Sequence, residues 1–124
     1  AKIGDFDSRN EYTFYGAMHC LCIRLLNKYP NAEIVFMTPL HRKKENAEIK
    51  ENGLPNEVPL SGYVEIIKEV AGYYGLPVLD LFAGSGLQPE VDIIKQEYMP
   101  DGLHPSDKGH KRIAERLYGF LSAL

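Results

Sequence analysis

No uninterrupted apolar run in this 124-residue chain is longer than the four residues of Ile34–Met37. A bilayer crossing needs roughly 20 apolar residues, so a membrane-spanning helix is excluded as a reading. Cysteine is equally scarce, with only Cys20 and Cys22 present. They stand two apart in a helical pattern and so point to different sides of a helix, which argues against a disulfide. A lone Cys-x-Cys pair also falls short of the four ligands of a structural zinc site. Unpaired thiols of this kind favour a reducing compartment, and hence a cytoplasmic location. Excess positive charge is missing too. Fourteen basic residues face 17 acidic ones for a net charge of −3, and the only basic cluster is His41-Arg42-Lys43-Lys44, so no footprint for nucleic acid is expected. Repeats, linkers and low-complexity tracts are absent as well.

What remains is ordinary globular composition, 44% apolar and 25% charged, enough for a core in one domain. From Tyr12 to Tyr29, Phe14, Met18, Leu21, Cys22, Leu25, Leu26 and Tyr29 follow the three-and-four spacing of an amphipathic helix, which Pro30 and Asn31 stop. Glu33–Thr38 reads as a short strand covered on both faces. Leu40–Pro59, punctuated by Gly53, Pro55 and Pro59, reads as a long irregular loop. A second helix is predicted from Leu60 to Tyr74, with Tyr63, Ile66, Ile67, Val70 and Tyr74 on one face and Gly75 as its C-terminal cap. Pro77–Leu81 reads as another buried strand and Pro89–Glu97 as a short helix. A loop follows from Tyr98 to Pro105. The last helix is capped by Ser106, carries Asp107 in its first turn, and is expected to bury Ile113, Leu117, Phe120, Leu121 and Leu124. The order predicts an α/β architecture with parallel strands. Two strands are few for such a sheet, so it is read as incomplete.

Ligand sites in parallel α/β sheets gather at the carboxyl ends of the strands. The loop Met99-Pro100-Asp101-Gly102-Leu103-His104-Pro105 puts a carboxylate and an imidazole three residues apart before a helix. That spacing lets Asp101 accept a hydrogen bond from one ring nitrogen of His104 while the other points outward, as in the base-and-orienter half of a nucleophilic triad. A loop aspartate making a turn, beside a histidine packed near a helix start, is the bland alternative from spacing alone.

The run from Asp101 to His110, opening Asp101-Gly102-Leu103-His104-Pro105, resembles the last motif block of the SGNH hydrolases, the GDSL-type lipases and esterases. In that family Asp-x-x-His-Pro supplies the catalytic Asp and His. Ala32–Pro39 is similar to the family's fourth core strand and Gly75–Leu81 to its fifth. The resemblance implies a flavodoxin-like three-layer sandwich with a parallel sheet, here lacking its first strands, so that residues 1–124 form the carboxyl-terminal portion of one domain. It also implies hydrolysis of a small-molecule or carbohydrate ester, with no cofactor and no metal. His104 would be the general base and Asp101 its orienting partner.

The family's nucleophile block, Gly-Asp-Ser, and its two oxyanion-hole blocks do not occur here. In Gly4-Asp5-Phe6-Asp7-Ser8 a phenylalanine stands where that motif has serine, and Ser8 is not read as the nucleophile. Ala1 opens without methionine and Lys2–Ser8 reads as mid-domain loop, so the nucleophile is expected upstream in a longer protein. Loss of a serine nucleophile costs about a millionfold in turnover, so the segment alone is expected to be inactive.

His41 and Arg42, just past the first strand, are candidate substrate-binding residues. Asp80 is read as a turn cap with a possible second role near the site, His19 as structural, and His110 as a packing or hydrogen-bonding residue. A metal site from His104, His110 and Asp101 lacks a fourth ligand. A non-catalytic α/β binding or assembly module keeping Asp101 and His104 is the competing function. An unpaired edge at Ile34–Met37 predicts self-association.

Overall fold

A computed structural model describes residues 2–46, 50–51, 54–55 and 57–124. Gly53, one of the expected loop punctuators, lies outside the described residues. The chain divides into two compact units, residues 1–36 with 46–78 and residues 37–45 with 79–124.

In the first unit, helix α1 (Phe14–Lys28) starts at Thr13, whose hydroxyl accepts from the Gly16 amide at 3.1 Å. This satisfies one of the orphan amides of the first turn. Helix α2 (Leu60–Tyr73) ends at Tyr74, and Gly75 follows at φ +73°, a left-handed closure that glycine makes without a Cβ clash. The two helices pack through Met18 and Cys22 of α1 and Ile66, Ile67 and Val70 of α2, with Ile3, Phe14, Phe36 and Leu76 around them. The expected apolar stripe of α1 is thus only half used. Leu21 and Tyr29 are exposed, because α2 covers one side of the helix and no described element covers the other.

Strand β1 (Phe36–Met37) and strand β4 (Val78–Leu79) form a two-stranded sheet. Phe36 N donates to Pro77 O at 3.0 Å and Thr38 N to Leu79 O at 3.1 Å, an advance of two residues in the same direction that makes the pair parallel. Both strands are shorter than their apolar runs, since each ladder ends where the partner's bonds end. Within the stretch predicted as irregular loop, strand β2 (Lys50–Glu51) pairs antiparallel with strand β3 (Leu54–Pro55), Lys50 opposite Pro55 and Glu51 opposite Leu54. The irregular loop is therefore corrected to a loop holding a hairpin. Its strands are too short and too polar to show an alternating pattern.

The second unit holds three helices: α3 (Leu81–Gly84), α4 (Asp92–Tyr98) and α5 (Asp107–Ser122). α3 was not foreseen. It is a single turn started by Asp80, whose side chain accepts from the Ala83 amide at 3.0 Å. Leu81, Leu87, Pro89 and Met99 are buried here. α5 begins at Ser106 as predicted. Its hydroxyl accepts from the Gly109 amide at 3.2 Å and donates to Glu97 O at 3.0 Å, tying the helix start to α4. The predicted buried face of α5 is a second correction. Ile113, Leu117 and Phe120 are half-buried, while Leu121 and Leu124 are about half exposed, at 46% and 53%. α4 packs on α5, and no described element covers its last turns.

No described helix is long and apolar enough to cross a membrane. Cys20 and Cys22 are both free thiols.

Candidate functional site

The loop between α4 and α5 folds back on itself at Gly102, which stands at φ +78°, with its amide donating to Met99 O at 2.8 Å. A side chain there would strain the left-handed backbone and would also put a Cβ 2.8 Å from the Lys43 Cβ. The turn brings Asp101 and His104 together. One carboxylate oxygen of Asp101, Oδ1, accepts from the Leu103 amide at 2.8 Å and the His104 amide at 2.7 Å. The other, Oδ2, lies 2.6 Å from His104 Nδ1.

This set of bonds fixes chemistry. The His104 amide, the His104 ring and the Leu103 amide, in that order, hold the Asp101 carboxyl well below the usual carboxylate range. An ionised carboxylate only accepts, so Nδ1 must carry the proton and the lone pair of the neutral ring falls on Nε2. The His104 side chain is 76% exposed, so it is open to a partner. An imidazole in a defined tautomer with a free Nε2 can take a proton from an acidic hydroxyl and give it back.

The other predicted residues sort as follows. His41 is not free: its Nδ1 lies 2.7 Å from Glu45 Oε1, and its ring lies on Phe82 at 3.7 Å between centroids. This is a second imidazole held by a carboxylate, four residues on rather than three. Arg42 follows it, with its Nε buried and without a partner among the described residues. The turn that holds both reaches the Asp101 loop, because Lys43 N donates to Gly102 O at 2.7 Å. Asp80 acts as a cap and also accepts from the Thr38 hydroxyl at 3.2 Å, while that hydroxyl accepts from the Phe82 amide at 2.9 Å.

His110 is exposed on α5, which corrects the packing alternative of its expected role. It directly follows the buried Gly109, about 100° further around the helix, which turns the ring to solvent. His19, read as structural, is buried, with Nδ1 2.7 Å from the Tyr74 hydroxyl and Phe6 edge-on at 4.9 Å. Ser8 is taken up by the Thr13 hydroxyl at 3.2 Å and the Asn10 amide at 3.3 Å. Among the described residues no group of three or more His, Cys, Asp or Glu side chains is placed to hold a metal ion.

Glu45 and Glu90 were missed. His41-x-x-x-Glu45 carried a usable spacing signal, whereas Glu90 meets Lys43 and Lys44 across more than 40 residues and carried none.

No protein-family model matches the sequence, and no curated protein sequence matches it. Among solved structures, one crystal structure is 34% identical and superimposes with a TM-score of 0.86 over 99% of this chain and 57% of its own. A possible lipase from Chitinophaga pinensis matches at 20% identity and a TM-score of 0.72, over 98% of this chain and 66% of its own. The esterase domain of an ORF1 protein from a zebrafish retrotransposon matches at 18% identity and a TM-score of 0.58, over 86% and 59%. The chain therefore shares its α/β fold with a possible lipase and an esterase domain. It spans between 57% and 66% of the length of these structures.

Proposed function

We propose that this chain is the base-bearing part of a serine ester hydrolase of the SGNH type, with His104 as general base and Asp101 as its orienter. The observation that carries the reading is the 2.6 Å contact from His104 Nδ1 to a carboxylate whose other oxygen is held by two backbone amides. The fold shared with a possible lipase and an esterase domain supports it. In this reading β1 and β4 belong to a larger flavodoxin-like parallel sheet, and the nucleophilic serine and oxyanion hole come from sequence upstream of Ala1. The chain spans 57% to 66% of the matching structures, so each of them has further sequence beyond the matched part.

His104 Nε2 takes the serine proton as the hydroxyl oxygen adds to the ester carbonyl. The imidazolium, stabilised by Asp101, returns that proton to the leaving alcohol as the carbon–oxygen bond breaks, which leaves an acyl-enzyme. Water then adds to the acyl carbonyl, Nε2 taking its proton and delivering it to the serine oxygen. His41 and Arg42, in the turn bonded to Gly102, contact the alcohol portion of a small-molecule or carbohydrate ester.

The test is ester hydrolysis by the longer protein. It should cleave 4-nitrophenyl acetate and be inactivated stoichiometrically by a fluorophosphonate, while the 124-residue chain does neither. A longer protein that cleaves esters but resists the fluorophosphonate would rule out the serine mechanism.

The open side of β1, where Met37 is 47% exposed, is proposed to drive self-association of the isolated chain by edge pairing. Light scattering should show mass rising with concentration, and a constant monomer mass at millimolar protein would count against it.

A further inference from the structure

Glu90 follows the buried Pro89 in the segment between α3 and α4, and its amide donates to the Gln88 side chain at 3.1 Å. Its carboxylate crosses to the turn after β1. Oε1 accepts from the Lys44 amide at 2.8 Å and Oε2 pairs with Lys43 Nζ at 3.2 Å. Lys44 stands at φ +56°, the one non-glycine among the described residues with a positive φ. Such a conformation is strained for a residue with a side chain and persists where the surroundings enforce it. Here the enforcing contact is the carboxylate of Glu90 on the strained residue's own amide.

The held turn presses on the Asp101 loop. Lys43 N donates to Gly102 O at 2.7 Å, and the backbones approach closely enough that a Cβ on Gly102 would lie 2.8 Å from the Lys43 Cβ. Gly102 is the residue between Asp101 and the two amides, Leu103 and His104, that its Oδ1 binds. The chain of contacts therefore runs from Glu90 through Lys44 and Lys43 to Gly102, and ends at the geometry of the Asp101–His104 pair.

We propose that Glu90 is a positioning residue: by clamping the Lys43–Lys44 turn against Gly102 it sets the alignment of Asp101 with His104. The inference rests on the reading of that pair as orienter and base for its functional meaning. Its physical content is the alignment alone, which the 124-residue chain itself reports.

The charged groups around Asp101 fix the sign of the test. His104 faces it from the same loop, before the start of α5. Lys95 of α4 is engaged with Pro100 O at 2.9 Å, and Lys43 approaches from the clamped turn. Removing the negative charge of Glu90 lowers a neighbouring carboxyl midpoint if only charge matters. Losing the alignment of three hydrogen bonds raises it, toward the ordinary aspartate value of about 3.9. The two effects have opposite directions.

The experiment is carbon-detected NMR titration of the Asp101 carboxyl, with amide exchange at Leu103 and His104, in the chain and its E90A and E90Q variants. E90Q keeps a side-chain oxygen to accept from Lys44 N, whereas E90A keeps none. We expect the Asp101 midpoint to move up in E90A, with exchange at both amides about tenfold faster, and to stay at or below the parent value in E90Q with exchange unchanged. An E90A midpoint that is unchanged or lower overturns the proposal, as does an E90Q variant that behaves like E90A. Because Glu90 is exposed, neither substitution threatens folding. An inactive longer protein would bear on the hydrolase reading alone, and these spectra bear on Glu90 alone.

Discussion

Replacing Asp101 by Asn changes one atom and leaves the shape of the turn. The amide oxygen of Asn can still accept from Leu103 N and His104 N, now at 2.8 and 2.7 Å, so the loop should keep its conformation. The other end of the side chain, however, now presents an NH2 group at the position 2.6 Å from His104 Nδ1. Two donors cannot face each other at that distance, so the ring must shed its Nδ1 proton and accept there. The proton moves to Nε2, and the lone pair needed to take a proton from a nucleophile is lost. In a triad hydrolase the same aspartate-to-asparagine change lowers turnover about 10⁴-fold through the wrong tautomer, and D101N in the longer protein is expected to show that loss in kcat with KM nearly unchanged. Imidazole nitrogen shifts in the 124-residue chain provide the assay free of activity: the parent should show the Nδ1-protonated ring and D101N the Nε2-protonated one. A D101N ring that keeps its Nδ1 proton, or turnover within tenfold of the parent, would refute the reasoning.

The remaining predictions concern the frame around that pair. G102A should destabilise the chain by about 1–2 kcal/mol through its left-handed backbone, and more if the Lys43 contact cannot yield, read as a lower midpoint in urea unfolding. S106A removes the cap of α5 and its bond to Glu97 O, and should cost about 1 kcal/mol in thermal unfolding. The depressed Asp101 pKa means that, as pH falls, the unfolded chain takes up this proton first, near pH 3.9, and the folded chain only later. Its stabilising contribution is therefore full above that value and lost as pH falls through the folded pKa. The urea-unfolding midpoint of D101N should accordingly fall less than that of the parent as pH is lowered below 4.

The long helices were legible because their signals are local. α1 and α2 announce themselves by apolar spacing, Gly75 by the need for a left-handed residue, and α5 by a serine followed by an aspartate at its start. The Asp101–His104 contact was legible for the same reason, since its partners stand three positions apart with only Gly102 and Leu103 between them. α3 escaped because a single turn has no period to read, and its cap, Asp80, was visible only as a turn residue. The exposure of Leu121 and Leu124 could not be read from a helix's own pattern, which marks a face as apolar without saying what covers it. Glu90 and Lys44 meet 46 residues apart, and nothing in either neighbourhood points to the other. The local half of the site was therefore readable and its buttress was not.

The central claim is that His104 carries the proton in ester cleavage. It is tested most directly by steady-state hydrolysis of 4-nitrophenyl acetate by the longer protein with His104→Ala. The account predicts turnover lower by about 10⁴- to 10⁶-fold, as for loss of a triad member, with the fold intact by circular dichroism. Turnover within tenfold of the parent by a folded H104A protein would contradict it.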